Sequence, residues 1–212
     1  MRHWADGWYL ALCAFGMIAL ASAPRGAWAA VYGNPSPQIH EKEQAVGVAL
    51  GEDGITFFGD FGIGKEGVLR VLGGTVERGR ADGVQVGAGY RHRLDINARL
   101  GDLDVALGAF GETRYGTLDA GGADASFFLI DLGAGGTISP VAKLYVFAGP
   151  VFRWIHVDVD SGQKGGSGSD TDTDLGLFLG AEYWIKPVLA GGVELHGGLK
   201  DESISVYLEY KF

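Results

Sequence analysis

The chain has 212 residues, a formal charge of −9, 37 glycines and only 6 prolines. An acidic balance with no basic run excludes a nucleic-acid partner. The apolar and aromatic content excludes a disordered chain, and so much glycine fits no helical bundle.

Residues 1–29 read as a signal peptide. Arg2 and His3 precede the uncharged run "GWYLALCAFGMIALASA", and Ala27 and Ala29 supply the small-x-small pattern that a signal peptidase recognises. Cleavage is predicted after Ala29, because Pro24 disfavours the earlier alternative after Ala23. The run is short for a spanning helix, which needs about 20 apolar residues. Cys13 lies inside this segment, so the mature chain is expected to have no disulfide and no thiolate chemistry. Residues 30–43, "AVYGNPSPQIHEKE", contain Pro35 and Pro37 and read as an extended periplasmic lead-in. The stretch "HEKEQ" lacks the second histidine of a zinc-protease helix, so no metal is assigned.

From about residue 44 the sequence becomes a succession of alternating segments punctuated by glycine and aspartate. In "VQVGAGYRHRLDINARL", Val84, Val86, Ala88, Tyr90, Leu94 and Ile96 share one parity, while Gln85, Arg91, Arg93, Asp95 and Arg99 share the other. Such a period of two is a strand. In "DLGLFLGAEYWI", Leu175, Leu177, Leu179 and Ile185 oppose Phe178, Glu182 and Trp184. The chain closes on "SISVYLEYKF", where Ile204, Val206, Leu208, Tyr210 and Phe212 alternate with polar residues. Ten strands are predicted, at 44–51, 55–63, 67–77, 83–99, 103–113, 126–138, 143–157, 174–186, 188–198 and 202–212. Short connections and the C-terminus fall on one side, and longer ones on the other.

Even strand number, short turns below and long loops above describe a transmembrane antiparallel up-and-down β-barrel over residues 44–212. In hydrocarbon every backbone amide must be paired, so a sheet crosses only when it closes. A closed meander also accounts for a chain that stops in mid-alternation. The competing soluble barrel would invert the faces, with apolar residues inside. Against it, the apolar parity is aliphatic with aromatics near strand ends, such as Trp154, Tyr183, Tyr210 and Phe212, as in interfacial girdles.

The signal peptide, the alternating strands and the ending "VYLEYKF" resemble the small outer-membrane barrels of the OmpA/OmpX/OmpW kind. "YVFAGPVFRW", an acidic loop and "LGLFLGAEYWI" are similar to the penultimate strands of that group. The resemblance implies location in a Gram-negative outer membrane, contact with its lipid and lipopolysaccharide, and insertion by the barrel-assembly machinery. Val206, Leu208, Tyr210 and Phe212 would be the assembly signal. Eight strands are usual in that family and are the alternative to ten.

The polar parity collects Asp60, Arg70, Arg91, Arg93, Asp95, Arg99, Asp104, Glu112, Asp131, Arg153, Glu182, Glu194, His196, Glu209 and Lys211. Mixed signs in a narrow lumen are expected to pair and fill it. A charged constriction that passes small solutes or ions is the runner-up. A lipid-modifying enzyme would need serine, histidine and carboxylate together; Ser203, Ser205, His196 and Glu194 lie near one another, but no motif marks a nucleophile. "GGSGSD" in the acidic stretch starts a calcium-binding nonapeptide, yet only one copy is present, and a solvated loop is expected. The function expected is therefore structural or interactive, without catalysis or cofactor. An extracellular ligand would be met through loops 114–125 and 158–173.

Overall fold

The computed structural model describes residues 32–35, 43–78, 81–119, 123–160, 167–198 and 202–212. The expected signal peptide lies outside them. Ten strands form one closed antiparallel meander: β1 (Gln44–Gly51), β2 (Gly54–Ile63), β3 (Gly67–Arg78), β4 (Ala81–Leu100), β5 (Leu103–Asp119), β6 (Asp124–Val141), β7 (Leu144–Asp160), β8 (Ser167–Lys186), β9 (Leu189–Gly198) and β10 (Glu202–Lys211). Ten, not eight, is the strand number.

Closure is made by β1 and β10, from Ala45 opposite Lys211 to Gly51 opposite Ser205. Beyond this ladder the Phe212 amide donates to the Gln44 carbonyl at 2.9 Å, and the Gln44 amide donates back at 3.3 Å. The terminal residue thus completes the seam and projects its ring outward, stacked beside Tyr210. Deleting Phe212 is expected to lower the amount of barrel in the membrane sharply, whereas Phe212→Tyr retains it. Membrane abundance of the two variants checks this, and equal abundance after the deletion would detach the ending from assembly.

The strands order the two faces oppositely to a water-soluble barrel. Leu177 is 65% exposed and Phe57 62%, while Asp60, Asp131 and Glu194 are fully enclosed. Exposed aliphatic side chains in this number would be heavily penalised in water, at about 25 cal/mol per Å². In a bilayer they face their own kind. The same belt carries Tyr115 and Phe128 toward the long-loop end, and Tyr210 and Phe212 toward the short-turn end.

Strands β4 to β8 are longer than the periodicity predicts. β5 continues to Asp119 and β6 starts at Asp124, so most of the segment expected as loop 114–125 is sheet. Likewise β7 runs to Asp160 and β8 begins at Ser167, which converts most of the expected loop 158–173 into strand. The reason lies in continued alternation. Arg114, Gly116 and Leu118 point inward, with Leu118 packed on Val76, Phe127 and Leu129. β8 has its last β9 partner at Gly176 and continues to Ser167 paired, among the described strands, with β7 alone, roughly 30 Å of extended chain at about 3.3 Å per residue. Along that stretch the amides of Thr171, Thr173 and Leu175 donate to the carboxylates of the preceding Asp170, Asp172 and Asp174 at 2.8–2.9 Å. Occupied amides discourage another strand from adding there.

Candidate functional site: the filled lumen

Inward side chains of β2, β3 and β4 make the first ion cluster. Asp60 and Arg70 stand directly opposite each other in register. Arg70 grips both carboxylate oxygens, Nε to Oδ1 and Nη2 to Oδ2, each at 2.7 Å. Arg91 reaches the same carboxylate with its Nη2. A second cluster follows on β5 to β7. Glu112 and Asp131 are cross-strand partners, a like-charge pair that would repel if left alone. Arg114 Nε donates to Glu112 at 2.6 Å, and Arg153 donates to both oxygens of Asp131 at 2.8 and 3.1 Å. Bidentate arginine–carboxylate geometry offsets the desolvation that burial imposes.

The remaining acids are held by neutral donors or placed at the mouth. Glu182 accepts from Trp184 Nε1 at 2.9 Å and from the Tyr207 hydroxyl at 3.1 Å. Glu194 touches His196. Lys211 donates to Glu43 at 3.1 Å and sits over the Trp184 ring. Glu209 is also buried, within electrostatic reach of Glu182, Asp60, Arg91 and Arg70.

Between the charges lie aromatic rings. Phe178, which the alternation assigns to the polar parity, is 1% exposed and packs with Phe110, Phe147, Val151 and Tyr32. Glycines on adjacent strands make room: a Cβ at Gly133 would stand 2.3 Å from the Phe110 ring, and one at Gly180 2.3 Å from Phe147. The glycine-rich inward parity is therefore the complement of inward rings. The lumen is packed by ion pairs and aromatics together.

Four of the expected lumen charges are not in this network. Arg99 and Asp104 do pair, at 3.0 Å, but with side chains 75% and 84% exposed at the short-turn rim. Arg93 meets Glu66 only at 3.9 Å, and Asp95 is exposed. All four share the inward parity, but they fall at or beyond the end of the enclosed bore. Together with Thr137, Ser139 and Tyr145 they line an open vestibule of about 870 Å³. Parity identifies the face of a residue and says nothing of its height in the bore. Arg114, by contrast, belongs to the network although its segment has the composition of a loop.

The expected periplasmic lead-in also requires correction. Tyr32, Gly33, Asn34 and Pro35 lie buried inside the barrel; residues 36–42 are outside the described residues. The amides of Tyr32 and Gly33 donate to the two oxygens of Glu194 at 3.1 and 2.8 Å. Arg91 Nη1 donates to the carbonyls of Tyr32 and Asn34, each at 3.4 Å. Thr137 donates to Asn34 Oδ1 at 2.7 Å, and Arg153 donates to the Tyr32 hydroxyl at 2.9 Å. The Tyr32 ring lies against Phe110 and His196, with centroids 4.6 and 4.5 Å away. A segment outside any strand, held by lumen side chains, leaves no alternation in the sequence.

The serine–histidine–carboxylate set does converge. Ser203 is opposite His196 and Ser205 opposite Glu194 in the β9–β10 ladder. They face the lumen, away from lipid, and Glu194 is already engaged by the two amides of the N-terminal segment. The cavity beside His196, Ser203 and Tyr32 is about 30 Å³, the share of one water molecule and far below an acyl chain. In the acidic stretch, Asp170, Asp172 and Asp174 cap their own strand. Among the described residues no group of three or more His, Cys, Asp or Glu side chains is placed to hold a metal ion.

A closed antiparallel barrel with an aliphatic exterior and an ion-paired interior is a transmembrane β-barrel of the outer-membrane type. No protein-family model matches the sequence, and no curated protein matches it either. Among solved structures the chain is similar to Ail, the attachment invasion locus protein of Yersinia pestis, at 14% identity and a TM-score of 0.43, over 82% of this chain and 100% of that one. It is also similar to Neisserial surface protein A, at 14% identity and 0.36, over 80% and 93%. The outer membrane protein Omp33 of Acinetobacter baumannii gives 11% identity and 0.35, over 83% and 100%. The class rests on topology and inverted polarity, not on these similarities.

Proposed function

We propose that this protein is a non-conducting barrel of a Gram-negative outer membrane, with a structural or cell-surface interaction role and no catalysis. The observation that carries the reading is the bore itself, crossed by two arginine–carboxylate clusters and a layer of aromatic rings. Surface interaction is supported by the outer extension of β4 to β8. It encloses a cup of about 730 Å³ whose lining includes Asp82, Asp119, Asp124, Asp158 and Asp160. An extracellular ligand would meet these strand ends, residues 114–119, 124–125, 158–160 and 167–173. Lipid and lipopolysaccharide would pack on the apolar belt, and the barrel-assembly machinery would engage Val206, Leu208, Tyr210 and Phe212. Resemblance to OmpA/OmpX/OmpW-like barrels belongs to this reading.

Planar-bilayer recording of the refolded mature chain tests it. Silence from a barrel that keeps its heat-modifiable gel shift is the expected result. Regular discrete openings of the unaltered chain would replace this reading by the narrow channel.

A further inference from the structure

We infer that residues 32–35 are a docked plug, and that their undocking opens a path for small ions through a barrel that is otherwise shut. This goes beyond the proposed function, which concerns only the resting state. Three of these residues, Tyr32, Gly33 and Asn34, touch inward side chains of six consecutive strands, Arg91 of β4, Phe110 of β5, Thr137 of β6, Arg153 of β7, Phe178 of β8 and Glu194 of β9. A segment in contact with so much of the circumference lies across the bore rather than along one wall.

Its ends meet two different spaces. Tyr32 walls the small cavity beside His196 and Ser203, at the outer ends of β9 and β10. Asn34 is bonded to Thr137, which lines the large vestibule on the short-turn side. The segment thus lines the first space and contacts a wall residue of the second.

The attachment is made for displacement as well as for fit. No described strand pairs with residues 32–35, so no ladder holds them. They are held by side chains that keep other partners when the segment leaves: Arg91 keeps Asp60, Arg153 keeps Asp131, and Glu194 keeps His196. The Arg91–Asp60 and Arg153–Asp131 ion pairs therefore persist in the open state, as a separable plug requires. Gly33 sets the fit. Its φ is +68°, a left-handed conformation that opposes a β-branched residue, and a Cβ there, 2.9 Å from Arg91 Nη1, would also push that guanidinium aside.

Single-channel recording in potassium chloride, on mature chain, Tyr32→Ala and Gly33→Val, tests the inference. Each protein is first shown to be folded by its heat-modifiable gel shift. Discrete openings in both variants, suppressed by a synthetic peptide of residues 30–43 added on the short-turn side, are expected. Folded variants no more conductive than the mature chain would overturn the plug. The mature chain alone decides the proposed function: if it conducts and the variants conduct more, that reading falls and the plug stands. If all three are equally silent, the reverse holds. A barrel lacking residues 30–35, recorded in the same way, covers the case in which a point variant fails to fold.

Discussion

Replacing Asp60 with alanine is expected to lower the stability of the folded barrel by about 3–5 kcal/mol, the cost of leaving buried charge unpaired. Asp60 is fully enclosed and is the carboxylate shared by Arg70 and Arg91, which are themselves buried. Removing it takes from two buried guanidinium groups the carboxylate that compensates them. Alanine at Arg99 is the internal contrast. Its pair with Asp104 is open to solvent, where such pairs contribute about 0–1 kcal/mol. Urea unfolding in lipid vesicles, followed by the gel shift, measures both. Equal small losses would mean that the bore is wet enough to screen its charges.

Truncating Phe178 to alanine is expected to cost about 3–5 kcal/mol, the range for a large aromatic removed from a packed core. The residue is enclosed by Phe110, Phe147, Val151 and Tyr32, so the loss also loosens the seat of the N-terminal segment. Its neighbour Leu177 faces the bilayer, where arginine would cost about 2–4 kcal/mol at mid-depth and alanine much less. The two positions thus separate by chemistry, with Phe178 sensitive to volume and Leu177 sensitive to charge. The same unfolding assay reads the difference. A Phe178→Ala barrel as stable as the parent would deny the lumen its packed aromatic layer.

Strand existence, the closed meander and the sense of the faces were legible because the alternation is strict where one face meets lipid. Leu175, Leu177 and Leu179 state that pattern without ambiguity. Strand ends were less legible where threonine, glycine and aspartate dominate. "RYGTLD" and "SGSDTDTD" have turn composition yet keep their alternation, and in the second the amides of Thr171 and Thr173 donate to the preceding aspartates. Partners inside the bore were not legible at all. Arg91 lies one strand from Glu112 in sequence order, but it turns to Asp60 two strands away, because strand tilt brings distant positions level. Tyr32 to Pro35 carry no periodicity, and their two neighbouring prolines suggest only a linker. A carboxylate at Glu194 with no lysine or arginine on its own strand, beside a glycine-rich wall, is the one hint in the sequence of a further occupant.

The central claim is that apolar side chains face lipid and charged ones face a closed interior. The most direct measurement is single-tryptophan substitution at positions 175, 177, 178 and 179 on β8, in a background without native tryptophan, with quenching by brominated lipid. Strong quenching at 175, 177 and 179 and weak quenching at 178 is the result this structure predicts. Strong quenching at 178, or none at any of the four, would contradict it.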